Sequence, residues 1–426
     1  MKLLAVFFLI IFVFYFFLFS QRVWFHYDDF DFLLGSANFS LNYLFQPHNE
    51  HLLPLFKAVF FLQYSLFGLH FMPYFVVLIC LHLFNLFVVW LIVRQLTRNR
   101  LFAYIAVILL AVNVSYIEVV LWATSLQMMF CSLFIGLAFL SWFTFRQKNS
   151  RGYLWMAGLA SVLAALSQGI GLAYPFVLAT LSFIDRKTGR KVGLFFSLIG
   201  LVMVSIFLYL AHQNLDIVQN ETITPLTLPK IGMFLYIGLK KALFIRFFYP
   251  LFTLSYLGLG ILHKRLLTFV AGILLLLLFI RSSPKNKDKF FLKVALLIHL
   301  IYPYAFISLK RAAISPGLAL ADRYTYIPLF FLVILFVYLL AGLRQTVWLK
   351  IFSLFFTAYI ISSQIFAFYY RARLWTQQPL LSKEFFRQLA QKAQGNDLGP
   401  ECKTPKSLNG RSESCLKYKK LLRYLP

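Results

Sequence analysis

Stretches of about 20 consecutive apolar residues recur along nearly the whole chain, and that length matches the roughly 30 Å hydrocarbon thickness of a bilayer. With 61% hydrophobic and 19% aromatic residues, 51 of them Phe, this is a polytopic membrane chain rather than a soluble domain. Apolar runs and their breakers place spans at 3–19, 73–93, 101–115, 123–145, 152–167, 170–184, 192–211, 266–280, 290–307, 325–341 and 349–369. The expected fold class is therefore an all-α polytopic membrane protein with about 11 transmembrane helices (10–13) and outer-face loop helices. A net charge of +27 would suggest nucleic acid in a soluble protein. Here it reads as Lys and Arg fixing cytoplasmic loops and touching anionic lipid, with no nucleic-acid partner.

Sidedness follows from the short basic loops. RQLTRNR (94–100), RQKNSRG (146–152), DRKTGRK (185–191), RSSPKNKDK (281–289) and GLRQTVWLK (342–350) fall on one side if the N-terminus is cytoplasmic. Residues 3–19 form a retained first span, since no small-residue cleavage pattern follows at Ser20-Gln21-Arg22. The expected organisation is a membrane domain over 1–370 with a first outer loop at 20–72, followed by a short polar basic tail at 371–426. Residues 231–263, which carry Lys240, Lys241 and Arg246, are expected as an interfacial segment whose basic side chains snorkel outward. Cys80 and Cys131 lie in apolar runs as small buried residues. Cys402 and Cys415 lie in the tail and would pair in an oxidising compartment.

This orientation collects the chemistry on the outer face. The chain has 14 Asp and Glu in all, and three of them, Asp28, Asp29 and Asp31, sit within the stretch HYDDFDF directly after the first span. Carboxylates so close, between Phe25, Tyr27, Phe30 and Phe32, raise one another's pKa unless a proton, a metal or a cation compensates. Asp28 and Asp29 are the candidate catalytic pair, which could also hold a divalent cation (Mg or Mn), and Asp31 is a supporting residue. His26 adjoins them, and PHNEH adds His48, Glu50 and His51 as substrate contacts; it lacks the HExxH spacing of a helical zinc site. Glu118 lies in the connection between the third and fourth spans. Lys310, Arg311, Arg323 and Tyr324 lie in the last outer loop, where a guanidinium could meet a phosphate. Sugar transfer from a polyprenyl-phosphate donor uses such a set: a carboxylate base for the acceptor hydroxyl and positive charge on the departing phosphate.

The order of these features resembles the GT-C class of polyprenyl-phosphate-sugar-dependent glycosyltransferases, especially the protein O-mannosyltransferase and TMTC-like branch. HYDDFDF is similar to the acidic pair after that family's first span. The stretch from Leu52 to Leu96 looks like its loop helix and second span, including His82 and Asn85. VSYIEVVLWATS is similar to its connection carrying an acid and a Trp, matched by Glu118 and Trp122, and ADRYTYIPLFFL to its late-span entry, matched by Arg323, Tyr326 and Pro328. The resemblance implies that one of Asp28 and Asp29 activates the acceptor or holds a metal while the other positions the acceptor, and that Arg323 approaches the lipid phosphate. It departs from the family at Ala123–Met128 and at Ser167-Gln168-Gly169.

The implied function is a membrane glycosyltransferase of the bacterial inner membrane, with its site on the outer face. It would move a hexosyl or pentosyl group from a polyprenyl-phosphate-linked sugar to an acceptor lipid, glycan or secreted protein, among membrane lipids. The alternatives are a multi-span transporter or lipid-linked-sugar flippase, and an assembly protein whose acidic loop binds a cation. A transporter is expected to carry charge at the bilayer midplane and repeated halves. These spans are poor in charge.

Overall fold

The computed structural model describes residues 2–20, 23–25, 28–48, 51–212, 225–248, 250, 278–280, 287–342 and 347–375. His26, Glu50 and the tail beyond Trp375, with Cys402 and Cys415, lie outside these residues, as do most of the expected 266–280 span and the side chain of Lys310.

The apolar runs become helices at the positions their hydropathy marks: α1 (Lys2–Phe19), α5 (Phe71–Thr97), α6 (Arg100–Ala111), α8 (Leu126–Lys148), α9 (Arg151–Ala165), α11 (Tyr174–Ile184) and α12 (Gly189–His212). After α13 (Leu228–Lys240) come α14 (Lys287–Ile314), α15 (Tyr326–Ala341) and α16 (Val347–Trp375). Among the described residues, five helical segments are long and apolar enough to cross a membrane, and shorter apolar helices stand beside them. A helix closes its own backbone hydrogen bonds, which is what lipid requires of any spanning segment. The ends are set locally. α5 and α8 stop where Arg98 and Asn149 turn left-handed (φ 56° and 52°) and return their N–H groups to Arg94 and Phe145.

Burial divides the helices by role. α15 is buried along nearly its whole length and forms the axis of the bundle, contacting α5, α6, α8 and α14. α12 instead exposes Leu194, Leu198, Leu201 and Ile206, the pattern of a helix facing lipid. Inside the bundle, some polar side chains are paired across helices. His82 Nδ1 lies 3.0 Å from the Tyr326 hydroxyl, and Asn85 donates to the carbonyls of Leu81 and Met129 at 3.0 Å. Cys131 is buried and Cys80 half-buried, both as free thiols.

Small helices cover one end of the bundle. In the first loop these are α2 (Asp29–Ala37), α3 (Leu41–Phe45) and α4 (Pro54–Phe67). α7 (Tyr116–Leu121) lies in the connection after α6, and α10 (Gly169–Leu172) lies between α9 and α11. α2 stays in place because Phe30, Phe32 and Leu33 are buried, with the Phe32 ring 4.7 Å from Phe56 of α4. Lys57 of α4 closes the loop. It is almost fully buried, donates to the carbonyls of Tyr43 and Gln46 at 2.7 and 2.6 Å, and lies 4.3 Å from the Tyr43 ring.

Burial lowers the Lys57 pKa from 10.5 to about 8. The unfolded chain therefore binds the extra proton between those two values, and the Lys57 site gains stability as pH rises through that window. A neutral amine still supplies both N–H donors to the two carbonyls. Comparing thermal unfolding of the wild type and Lys57→Met in detergent should show the wild type gaining on the variant between pH 8 and 10; a gap that stays constant or narrows rules this out.

Candidate functional site

The covered end of the bundle holds a cavity of about 80 Å³ lined by residues from widely separated segments. Asp28 comes from the turn before α2, His48 and His51 from the first loop, Arg311 from the end of α14, and Arg323 and Tyr324 from the turn before α15. Asp28 and Arg323, nearly three hundred residues apart in the chain, share one space. At roughly 30 Å³ per water, that space takes two or three small groups, enough for reacting oxygens but not for a whole lipid-linked sugar.

The two neighbouring aspartates separate. Asp28 is exposed and lines the cavity, whereas Asp29 is fully buried. Asp29 Oδ1 accepts from the Thr124 backbone N–H at 2.7 Å and from the Thr124 hydroxyl at 2.5 Å. Helical geometry causes the split, because residues adjacent in sequence leave a helix about 100° apart. Asp29 thus ties the start of α2 to the short 3₁₀ turn Ala123–Ser125 ahead of α8, while Asp28 is left to the cavity. Asp31 is half-buried on the same helix, and its charge, after burial, helps raise the Tyr43 hydroxyl above its ordinary pKa.

His48 and His51 pair through their backbones, each N–H donating to the other's carbonyl at 2.9 and 3.0 Å. The His48 ring lies 4.6 Å from Phe32, so packing from α2 brings it to the cavity. Glu118 does not line the cavity. It is buried in α7, where its carboxylate takes a hydrogen bond from Arg323 Nη1 and one from the Asp322 backbone N–H, both at 3.1 Å. Its position makes it a tether for Arg323. The guanidinium also lies 5.2 Å from the centre of the Trp122 ring and 5.1 Å from that of the Tyr324 ring.

Behind Arg323 lies a buried charge cluster that the sequence reading did not place. Asp322 is 1% exposed. Its carboxylate meets Lys241 Nζ at 2.6 Å, Arg246 Nε and Nη2 at 2.8 and 3.0 Å, and Arg371 Nη2 at 2.5 Å. The expected snorkelling of Lys241 and Arg246 is therefore corrected. Both are buried, because Asp322 offers a partner inside the fold that water would otherwise supply. The π-helical stretch Lys241–Phe248 that carries them is held by side-chain amides. Asn113 donates to the Arg246 carbonyl at 3.0 Å, and Gln364 donates to the Arg246 and Phe247 carbonyls. Three cations around one carboxylate leave Arg246 Nη1 and Arg371 Nε buried without a hydrogen-bond partner among the described residues.

Sequence reasoning also missed the neutral wall of the cavity: Thr124, Ser125, Gln127, Met128 and Gln168. These are the stretches where the chain departs from the family pattern. Gln168 is set by its own backbone, since Oε1 accepts from the Ile170 N–H at 2.8 Å and starts α10. That short helix lies so close to α9 that a Cβ on Gly171 would collide with the Ala164 carbonyl. Among the described residues, no group of three or more His, Cys, Asp and Glu gathers as a metal site. Asp28 and Asp29 send their carboxylates to different surroundings.

No family model matches the chain, and no curated protein matches it. Among solved structures, the crystal structure of ArnT from Cupriavidus metallidurans bound to undecaprenyl phosphate superposes with a TM-score of 0.51. That match covers 97% of this chain and 84% of the other, at 14% sequence identity. The fold is GT-C-like. At this identity the likeness speaks for architecture, and function has to be argued from the cavity.

Proposed function

We propose that the chain is a membrane glycosyltransferase that moves a sugar from a polyprenyl-phosphate donor to an acceptor hydroxyl at the Asp28 cavity. The observation that carries this reading is the meeting of Asp28 with Arg323 and Arg311 in one space. A carboxylate and two guanidiniums there match the needs of the two ends of such a transfer. Asp28 takes the proton from the acceptor hydroxyl, whose oxygen forms the new bond to the anomeric carbon. The bond from that carbon to the phosphate oxygen breaks, and the electron pair leaves with the polyprenyl phosphate. Arg323 and Arg311 stabilise the charge that grows on it, as preorganised cations do. Glu118 fixes one guanidinium N–H of Arg323, and the Trp122 and Tyr324 rings hold its plane.

In this reading Asp28 is the base and Asp29 positions it through Thr124. His48, His51 and Tyr324 contact the substrate, while His26, Glu50 and Lys310 stay as candidates on the sequence pattern alone. The ArnT structure holds undecaprenyl phosphate, which supports a polyprenyl-phosphate-linked donor for a chain of the same architecture. The motifs at Asp28, Glu118 and Arg323 favour the protein O-mannosyltransferase and TMTC-like branch. The basic loops support a site on the outer face, and a bacterial inner membrane belongs to the same proposal. The direct test incubates purified protein with a panel of polyprenyl-phosphate sugars and an acceptor mixture, and follows release of polyprenyl phosphate. Release above a protein-free control is expected with at least one donor; none with any donor ends the proposal.

A further inference from the structure

The end of the bundle remote from Asp28 carries a second and larger cavity, of about 910 Å³. Its walls are the last residues of α5, α8 and α15, the turn between α11 and α12, and the first residues of α14. These are the ends that the basic loops join. Cations dominate the lining: Arg98, Arg146, Lys187 and Lys289, with Asp288 opposing them on the wall and Asp185 just behind. Leaving Lys289 aside, three cations stand against two carboxylates among the described residues, a surplus of one positive charge.

Arg146 sets this place apart from a solvated basic face. Its side chain is 5% exposed. Nε and Nη2 grip Asp185 at 2.9 and 3.2 Å, and Nη2 also reaches Asp288 at 3.1 Å. Nη1 makes no hydrogen bond to any described residue, although Arg146 lines the cavity. Two further donors beside it are unspent. The Tyr338 hydroxyl has no hydrogen-bond partner among the described residues, and Gln147 uses its Oε1 to accept from Gln95 at 3.2 Å, leaving its NH2 group. Lys187 adds its charge while resting on Asp288 at 2.5 Å. Leu96, Phe143 and Leu292 supply an apolar part of the same wall.

A guanidinium N–H pair, a phenol and an amide NH2 converging with surplus positive charge suit a tetrahedral oxyanion, which offers several strong acceptor oxygens at once. The apolar wall suits hydrocarbon adjoining that anion. We propose that this cavity is a second binding site, for the phosphate headgroup of an anionic amphiphile, separate from the Asp28 cavity and independent of the reaction proposed there. The negatively charged leaflet that basic loops face would supply such a group.

The test uses the full chain in a neutral detergent and reads thermal unfolding against three probes. These are dioctanoyl phosphatidylglycerol, glycerol 1-phosphate, and dioctanoyl phosphatidylcholine as the zwitterionic control. The variants are Arg98→Asn/Lys187→Gln, in which Asn suits the left-handed backbone at position 98, and Tyr338→Phe, which removes a hydroxyl without a hydrogen-bond partner among the described residues. The expected result is saturable stabilisation by phosphatidylglycerol beyond the control, with half-saturation shifted at least about tenfold in the double variant, a change of about 1.4 kcal/mol. Tyr338→Phe should shift it in the same direction by less. If glycerol 1-phosphate stabilises as well as the lipid and the variants weaken both, the phosphate site stands and its ligand is a soluble phosphate ester. If neither anionic probe exceeds phosphatidylcholine, or if the variants respond as the wild type does, the proposal is overturned.

Discussion

Asp28→Asn should lower sugar transfer by about 10²–10⁴-fold, the range that a positioned acid or base contributes, while leaving insertion and unfolding temperature unchanged. Asn keeps the shape of the side chain and removes its ability to take a proton. Asp28 is exposed and its side chain forms no hydrogen bond capping α2, so the fold loses little. The measurement is release of polyprenyl phosphate with a donor that the wild type uses. Asp29→Asn serves as the contrast. Asp29 holds Thr124 by two hydrogen bonds from full burial, so that change should lower stability together with rate. If Asp28→Asn turns over within about threefold of the wild type, Asp28 is not the base; proton transfer would have contributed far more.

Asp322→Asn should be among the most destabilising single substitutions in the chain. It leaves Lys241, Arg246 and Arg371 around a neutral amide, and breaking a buried ion pair on one side typically costs about 3–5 kcal/mol. Lys241 and Arg246 are 3% and 6% exposed, so water cannot readily take over from the carboxylate. Arg371 is 28% exposed, and Arg371→Gln should therefore cost much less, since solvation already offsets part of that pairing. Denaturant or thermal unfolding in detergent reads both variants. Asp322→Asn falling within about 1 kcal/mol of the wild type would mean that the carboxylate does not hold the cluster together.

The helices were legible because hydropathy registers directly the one constraint that lipid imposes. Thus 73–93 was expected and α5 spans Phe71–Thr97, while 192–211 was expected and α12 spans Gly189–His212. Asp28 and Arg323 were legible as well, because charge is scarce here and each charge next to a span stands out. The division of labour between Asp28 and Asp29 was not, since it depends on which face of α2 meets the bundle. Nor was the inward turn of Lys241 and Arg246. A basic residue in an apolar run looks alike whether it snorkels or pairs, and the deciding partner, Asp322, lies about eighty residues further along. Gln127 and Gln168 stood out only as departures from the family pattern, with nothing to mark them as cavity wall. A neutral amide is equally at home on a surface, in a cap or at a cavity, and only the fold tells which.

The Asp322 cluster also bears on how the protein is made. Its members come from the stretch at 241–246, from the entry to α15 and from the end of α16, the last helix described, and Arg323 shares a Glu118 tether with the Asp322 backbone. During synthesis the first two cations and the carboxylate enter the bilayer well before Arg371 does. That end of the molecule is thus left without its final bracket until the ribosome has delivered α16. A chain released before α16 would lack Gln364, which donates to the Arg246 and Phe247 carbonyls, as well as Arg371, so closure of the cluster would lag behind membrane integration.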